Sequence, residues 1–321
     1  MRIAIWGAGA VGLGLAAALA RPEERLTLFG RDPQTRAAIR EKGLRLTGLF
    51  GLREVPATWL ALERDAERLL ESPPEWLLVC TKAFAAPEIA RALEPLASRL
   101  VADTKLLLCQ NGWGNEAAFL PFWPTEQLFH ARVITGFHRR GLSEVEVTAH
   151  AAPLALGSLF EQPVDVLMPL AERITEGGLP AETSRDMRGT LWAKILYNCA
   201  LNPLGALAGR RYGELTGDPT TRRLVDEVIR EIFAVLHAAQ IEVAWPGAEQ
   251  YLTTFHDELI PATARHESSM LQDLRAGRPT EIEALCGAVE RLGHEHGIQT
   301  PVVSALARLV RAAERPAQPA S

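Results

Sequence analysis

The chain has 321 residues, 47% of them hydrophobic, which is enough to bury a sizeable core and long enough for two domains. A formal net charge of −5 argues against a nucleic-acid partner, whose footprint is a basic face. Cys80, Cys109, Cys199 and Cys286 are widely spaced, form no CxxC pair and sit in apolar runs, so free core thiols in a reducing cytoplasm are expected rather than a disulfide framework or a zinc site.

The first element is strand-like: RIAIW at 2–6, followed by glycines at 7, 9 and 12 and then by LGLAAALA, a strong helix former. Glycines in GxGxxG spacing between a strand and a helix have a mechanism: a tight turn, close backbone approach to a pyrophosphate, and close helix packing. Gly7, Ala8, Gly9, Ala10, Val11 and Gly12 are therefore the expected dinucleotide loop. The same stretch mimics a secretory leader with its apolar run and Ala18-Leu19-Ala20. A leader has no need of those glycines, and a second strand-like run follows at once.

That run, RLTLF at 25–29, ends where an adenosine ribose is expected to lie. An NAD site usually has an acidic residue there; this chain has Gly30, Arg31 and then Asp32. Arg31 suits a 2′-phosphate, which favours NADPH over NADH, while Asp32 either accepts a ribose hydroxyl or caps the helix suggested by PQTRAAIREKG. WLLVC at 76–80 runs into Thr81-Lys82, and KLLLC at 105–109 runs into Gln110-Asn111-Gly112. In a parallel sheet, strand ends of this kind put Lys82 and Asn111 on the same side as the glycine loop, although a solvated Lys and an Asn-Gly turn are the plainer readings. FHARVIT, SEVEVTA and PLALGSL, between 128 and 159, read as added edge strands with antiparallel pairing, followed by a helix at VDVLMPLAERITEGG.

From Asp186 the periodicity is helical almost throughout: TLWAKILYNCALNPLGALAG, TTRRLVDEVIREIFAVLHAAQ, AEQYLTTFHDELIPAT and TEIEALCGAVERLGHEHG. In the first of these Lys194, Asn198 and Asn202 stand four residues apart and form one polar ridge among apolar neighbours. A solvated face explains a lysine, but Asn is a poor helix former and is used where its amide has a role. The densest stretch is SSMLQDLRAGRPTEIEALCG at 268–287, where Thr280 and Glu283 fit a capping box and Glu281 reads equally as a residue favoured by the helix dipole or as a catalytic carboxylate. The HEH run at 294–296 is read as surface rather than as a metal site, and RPAQPAS closes the chain as a disordered tail. No stretch is long and apolar enough to span a bilayer.

Taken together, GAGAVG at 7–12, Arg31, TKAF from Thr81, QNGWG from Gln110, LWAKILYNCALNPLGALAG from Leu191, SSMLQD from Ser268 and RPTEIEALCG from Arg278 resemble the ketopantoate reductase family (2-dehydropantoate 2-reductase). The resemblance implies an α/β Rossmann-type N-terminal domain binding NADPH or NADP+ and a mostly α-helical C-terminal domain like that of 6-phosphogluconate dehydrogenase. Their expected spans are 1–183 and 184–312, with a tail at 313–321. It also implies NADPH-dependent reduction of ketopantoate, a small 2-oxo acid, to pantoate in pantothenate and coenzyme A biosynthesis, in the cytoplasm and without metal. Residue by residue, it carries catalytic roles onto Lys194 and Glu281 and substrate-binding roles onto Asn111, Lys194, Asn198, Asn202, Ser269 and Glu281. Lys82 and Asn111 join the cofactor side of the cleft. Association as a homodimer through the helical domain is an expectation with no particular residue behind it. The alternatives are a related NADP-linked oxidoreductase acting on another 2-oxo or hydroxy acid, and a non-catalytic NADPH-binding sensor.

Overall fold

The structure, a computed structural model, describes residues 1–314. It divides into two compact units, one comprising Met1–Asn111 and Asn115–Met187, the other Gly112–Gly114 and the described residues from Arg188. Of the expected tail, Ala313 ends the last helix, and residues 315–321 lie outside the described residues.

The first unit runs β1 (Ile3–Trp6), α1 (Ala10–Leu19), β2 (Leu26–Phe29), α2 (Pro33–Lys42), β3 (Leu44–Gly48), β4 (Arg53–Val55), β5 (Leu60–Glu63) and β6 (Trp76–Val79). It continues with α3 (Ala86–Leu93), α4 (Ala97–Leu100), β7 (Lys105–Leu108), β8 (Leu128–Arg132), β9 (Thr135–Arg139), β10 (Glu144–His150), β11 (Leu154–Gly157), α5 (Met168–Glu176) and β12 (Ala181–Thr183). The main sheet has the order β12-β11-β8-β7-β6-β1-β2-β5. From β5 to β8 every neighbour is parallel, the doubly wound order whose direction reverses between β1 and β6.

Two expectations need correction here. The strand at 128–132 is not an antiparallel edge: the 109–127 loop carries the chain back across the sheet, so β8 pairs in parallel with β7, and only β11 runs antiparallel against it. The strands at 135–139 and 144–150 leave the main sheet and join β3 and β4 in a second sheet of order β4-β3-β10-β9. The β3, β4 and β5 segments carry short, mixed patterns that give no clear strand signal in the sequence. Leu44, Leu46 and Val55 are nonetheless buried in the same core as α1, and it is this cover that makes the small sheet stable.

The second unit is helical: α6 (Met187–Ala208), α7 (Tyr212–Gly217), α8 (Pro219–Ala238), α9 (Ala248–Thr254), α10 (Ile260–Thr263), α11 (Ser269–Arg275), α12 (Cys286–Glu295) and α13 (Pro301–Ala313). The stretch read as one helix from 248 to 263 contains a π-helical turn at Phe255–Leu259 between α9 and α10. Its core gathers Trp192, Leu196, Cys199 and Leu201 of α6 with Val228, Ile232 and Leu236 of α8 and Val303 and Val310 of α13. All four cysteines are free and buried, as read, and His294 and His296 are exposed. No helix among the described residues is long and apolar enough to cross a membrane.

The start of α13 has no side-chain cap of its own; Glu231 of α8 accepts from Val302 N at 2.8 Å and Val303 N at 2.9 Å instead. This carboxylate both satisfies orphan donors and meets the positive end of the helix. Glu231→Ala is therefore expected to cost about 1.5 to 3 kcal/mol, the range for hydrogen bonds to a charged group. Urea unfolding of the two proteins measures it, and an unchanged midpoint would count against the capping role.

Candidate active site

In the first unit the site is built at the carboxyl end of β1. The chain leaves the strand through Gly7, whose φ of +120° favours glycine, and a Cβ there would lie 2.9 Å from the backbone of Cys80 and Thr81. At Gly12 a Cβ would fall 1.8 Å from the Gly7 carbonyl oxygen. These contacts let α1 begin directly above the end of β1 and against the end of β6, where the strand order reverses. Gly9, between them, faces open space, with nothing within 4 Å of its Cβ position. It is the N-cap of α1, with no side-chain cap and no acidic residue in the first turn. The backbone of Ala8, Ala10 and Val11 thus frames an uncapped helix start with room in front of it. Both the space and the sign of the dipole fit a pyrophosphate.

At the end of β2 the two readings of Asp32 are separated by geometry. Its carboxylate caps α2, accepting from Gln34 N at 3.0 Å, Thr35 N at 3.1 Å and the Thr35 hydroxyl. The Thr35 hydroxyl, followed by these amides, holds the carboxyl below its usual pKa. Arg31 is 79% exposed and its Nη1 lies 3.3 Å from both carboxylate oxygens of Glu88, itself 60% exposed. An ion pair this open is worth at most about 1 kcal/mol and yields readily to a doubly charged phosphate.

Lys82 follows β6 in extended conformation, and Asn111 follows β7. The side-chain amide of the buried Gln110 ties these two strand ends together, donating to the Thr81 hydroxyl at 3.2 Å and to the Lys82 carbonyl at 3.1 Å. Gln110 was not singled out by sequence reasoning. The available signal was a polar residue directly after the apolar run from Leu106 to Cys109, but only the parallel pairing of β6 and β7 reveals what its amide reaches.

In the second unit the polar ridge of α6 is not a solvated face. Lys194 and Asn198 are half-buried, and Asn202 is only 4% exposed. Asn202 accepts a hydrogen bond of 2.6 Å at its Oδ1 from the buried phenol of Tyr212. Ser268, fully buried, caps α11 by accepting from Leu271 N, and its hydroxyl lies against α6, 3.8 Å from the Cβ position of Gly205. Ser269, the exposed first residue of α11, follows it directly.

Glu281, 7% exposed, lies in a turn rather than in a helix. The expected capping box does not form: Thr280 accepts from Ile282 N, Glu283 pairs with Arg311, and α12 begins only at Cys286. Arg311 lies near enough to capture the Glu283 carboxylate, which is why local sequence misled. The turn is held at both ends. Arg278 bonds the buried Asp273 through Nε and Nη2, and Thr280 N donates to Glu314 at 2.7 Å. Trp113 N donates to Ala284 O at 2.9 Å, and Gly112, with φ +88°, fits only because it has no Cβ, which would lie 2.2 Å from that carbonyl oxygen. The Cys199 and Cys286 side chains meet, so the segment following Glu281 packs on α6. Lys194, Asn198 and Asn202 therefore share one helix, against which the segments of Ser269 and Glu281 pack. Gly7 to Gly12, Arg31, Lys82 and Asn111 gather at strand ends of the other unit.

A glycine turn at the switch point of a doubly wound parallel sheet, joined to an all-helical unit, defines a two-domain protein with a Rossmann-type dinucleotide-binding domain. Residues 3–159 match the family model described as ketopantoate reductase PanE/ApbA, and residues 186–314 match the model of its C-terminal domain. The chain belongs to the ketopantoate reductase family. It is 32% identical to a 2-dehydropantoate 2-reductase of Aquifex aeolicus over 98% of this chain and 97% of that protein, and 29% identical to one of Halobacterium salinarum over 98% and 99%. Among solved structures it resembles a PanE/ApbA family ketopantoate reductase from Ralstonia eutropha, with TM-score 0.84, 29% identity and 98% of each chain covered. With the same TM-score, 25% identity and 98% of each chain covered, it resembles a D-mandelate dehydrogenase solved with NADH and anilino(oxo)acetate.

The glycine geometry makes opposite expectations for two neighbours. Gly12→Ala forces backbone apart and is expected to destabilise the protein by about 1 to 3 kcal/mol, whereas Gly9→Ala should stay within about 1 kcal/mol because its Cβ meets nothing. Equilibrium unfolding of both variants decides, and equal losses would contradict the geometry.

Proposed function

We propose that this chain is an NADPH-dependent 2-dehydropantoate 2-reductase, forming pantoate for pantothenate and coenzyme A biosynthesis. Family membership supports the reaction, and the observation that carries the residue roles is the partly buried ridge of Lys194, Asn198 and Asn202 on α6. The cofactor would be held by the backbone of Gly7 to Gly12, by Arg31 at the 2′-phosphate, and by Lys82 and Asn111 at the ends of β6 and β7. When bound, the reduced nicotinamide supplies a hydride to the ketone carbon. Lys194 polarises the ketone oxygen with its ammonium and donates the proton that completes the alcohol. Asn198, Asn202 and Ser269 hold the substrate's oxygens, and Asn111 adds an amide to the same task. Glu281, as a carboxylate, accepts from the substrate hydroxyl. The four free buried thiols suit a cytoplasmic setting, and a homodimer through the helical unit is part of the same proposal.

A second reading, reduction of a different 2-oxo acid with NADH, is favoured by the D-mandelate dehydrogenase likeness. Oxidation of NADPH and NADH followed spectrophotometrically with ketopantoate and a panel of 2-oxo acids tests both. Turnover of another 2-oxo acid with none of ketopantoate would overturn the first reading.

Arg31→Ala is expected to weaken NADPH roughly ten- to a hundredfold, the equivalent of losing a charged hydrogen bond, with little change for NADH, which lacks the 2′-phosphate. Dissociation constants for the two cofactors check this, and matched losses would remove Arg31 from the role.

Lys194→Ala should lower turnover by about two to four orders of magnitude while leaving NADPH affinity nearly intact. Near-normal turnover at saturating ketopantoate would pass the proton-donor role to another residue, with Lys82 the first to examine.

A further inference from the structure

Tyr212 lies just beyond the end of α6 and outside every residue set considered so far. It is fixed twice over. Its backbone N donates to His266 O at 3.2 Å, and the next residue, Gly213, donates to Ala264 O at 2.9 Å. Gly213 is needed for that approach, because a Cβ there would lie 2.8 Å from the Ala264 side chain. The ring, 3% exposed, packs edge-on against Tyr197 of α6 at 5.7 Å and tilted against His266 at 5.1 Å. From this rigid seat the phenol donates to Asn202 Oδ1 at 2.6 Å. Burial pushes the phenol pKa far above its usual value, so the donor proton stays in place across any working pH.

An amide is two-faced: its oxygen accepts and its nitrogen donates, and rotation about the last bond exchanges them. A keto acid offers mainly acceptors, the carboxylate and ketone oxygens. An Asn that turned its own oxygen toward them would repel rather than bind. We infer that Tyr212 is a positioning residue that locks the Asn202 side chain with Oδ1 inward, so that the Nδ2 hydrogens are the group presented to an acceptor oxygen of the substrate. This rests on the substrate-binding role proposed above for Asn202. Nearly complete burial of both partners makes the lock firm, since a phenol or amide deprived of its partner here has little water to turn to.

The test is a cycle of Tyr212→Phe, Asn202→Ala and the double variant, each measured for ketopantoate KM, kcat and NADPH dissociation constant. Tyr212→Phe keeps the ring and its packing and removes only the hydroxyl. It should raise KM roughly five- to tenfold, the equivalent of one lost buried hydrogen bond, with NADPH affinity unchanged. In the Asn202→Ala background the same change should have almost no further effect on kcat/KM, because there is no amide left to orient. A merely structural role would predict losses that multiply in full across the cycle, and that result, or an unchanged KM in Tyr212→Phe, overturns the inference. Should Asn202→Ala leave kcat/KM untouched, the assignment of Asn202 to the substrate fails first, and the role of Tyr212 falls with it. Circular dichroism and thermal unfolding of Tyr212→Phe are the control for folding: with the ring packing kept, the native spectrum and a cooperative transition should persist while KM rises.

Discussion

The carbonyl oxygen of Gly7 occupies the space that a side chain at residue 12 would need, and much of the first unit is arranged around that contact. Because α1 can approach so closely, its apolar residues from Leu13 to Leu19 are buried, and the small second sheet covers them from the other side. The same approach leaves the helix start uncapped at the end of β1. An uncapped helix start with open space before it is therefore a by-product of how tightly helix and strand are packed, and Gly9 is the place where that packing opens.

The helical unit solves a different problem. Lys194, Asn198 and Asn202 keep polar atoms in a largely apolar setting, and Glu281 is buried in a turn that regular secondary structure does not hold. Its rigidity comes from scattered hydrogen bonds: Arg278 to Asp273, Thr280 to Glu314, and Trp113 to Ala284. Each satisfies a group whose burial would otherwise cost stability, so the turn is held in one arrangement.

Charge at the end of β2 follows a similar division of labour. Asp32 is committed to the start of α2 through Gln34 and Thr35, so its carboxylate is taken up by backbone amides. Arg31 is left at the surface with only the exposed Glu88 beside it. A guanidinium held so loosely is available to a phosphate, and the cost of releasing Glu88 is small because water screens that pair.

Local patterns were sufficient for the glycine turn, the strands at 76–79 and 105–108 and the ridge on α6, because each depends on residues within a few positions of one another, whereas Asp32 read equally as a cap or a ribose ligand until its bonds to Gln34 and Thr35 were seen. The resemblance of its motifs was enough for the family. What the tertiary structure decided depended on partners far away in the chain. The strands at 44–48 and 53–55 form because α1 and β10 cover them, although their own pattern is weak. The capping box at Thr280 was lost because Arg311 captures Glu283 from 28 residues away, and Gln110 acquired a role only when β6 and β7 were placed side by side. Asn202 could be picked out as an amide in an apolar helix, but the partner of its oxygen is Tyr212, ten residues on, beyond a helix end whose geometry no spacing rule records.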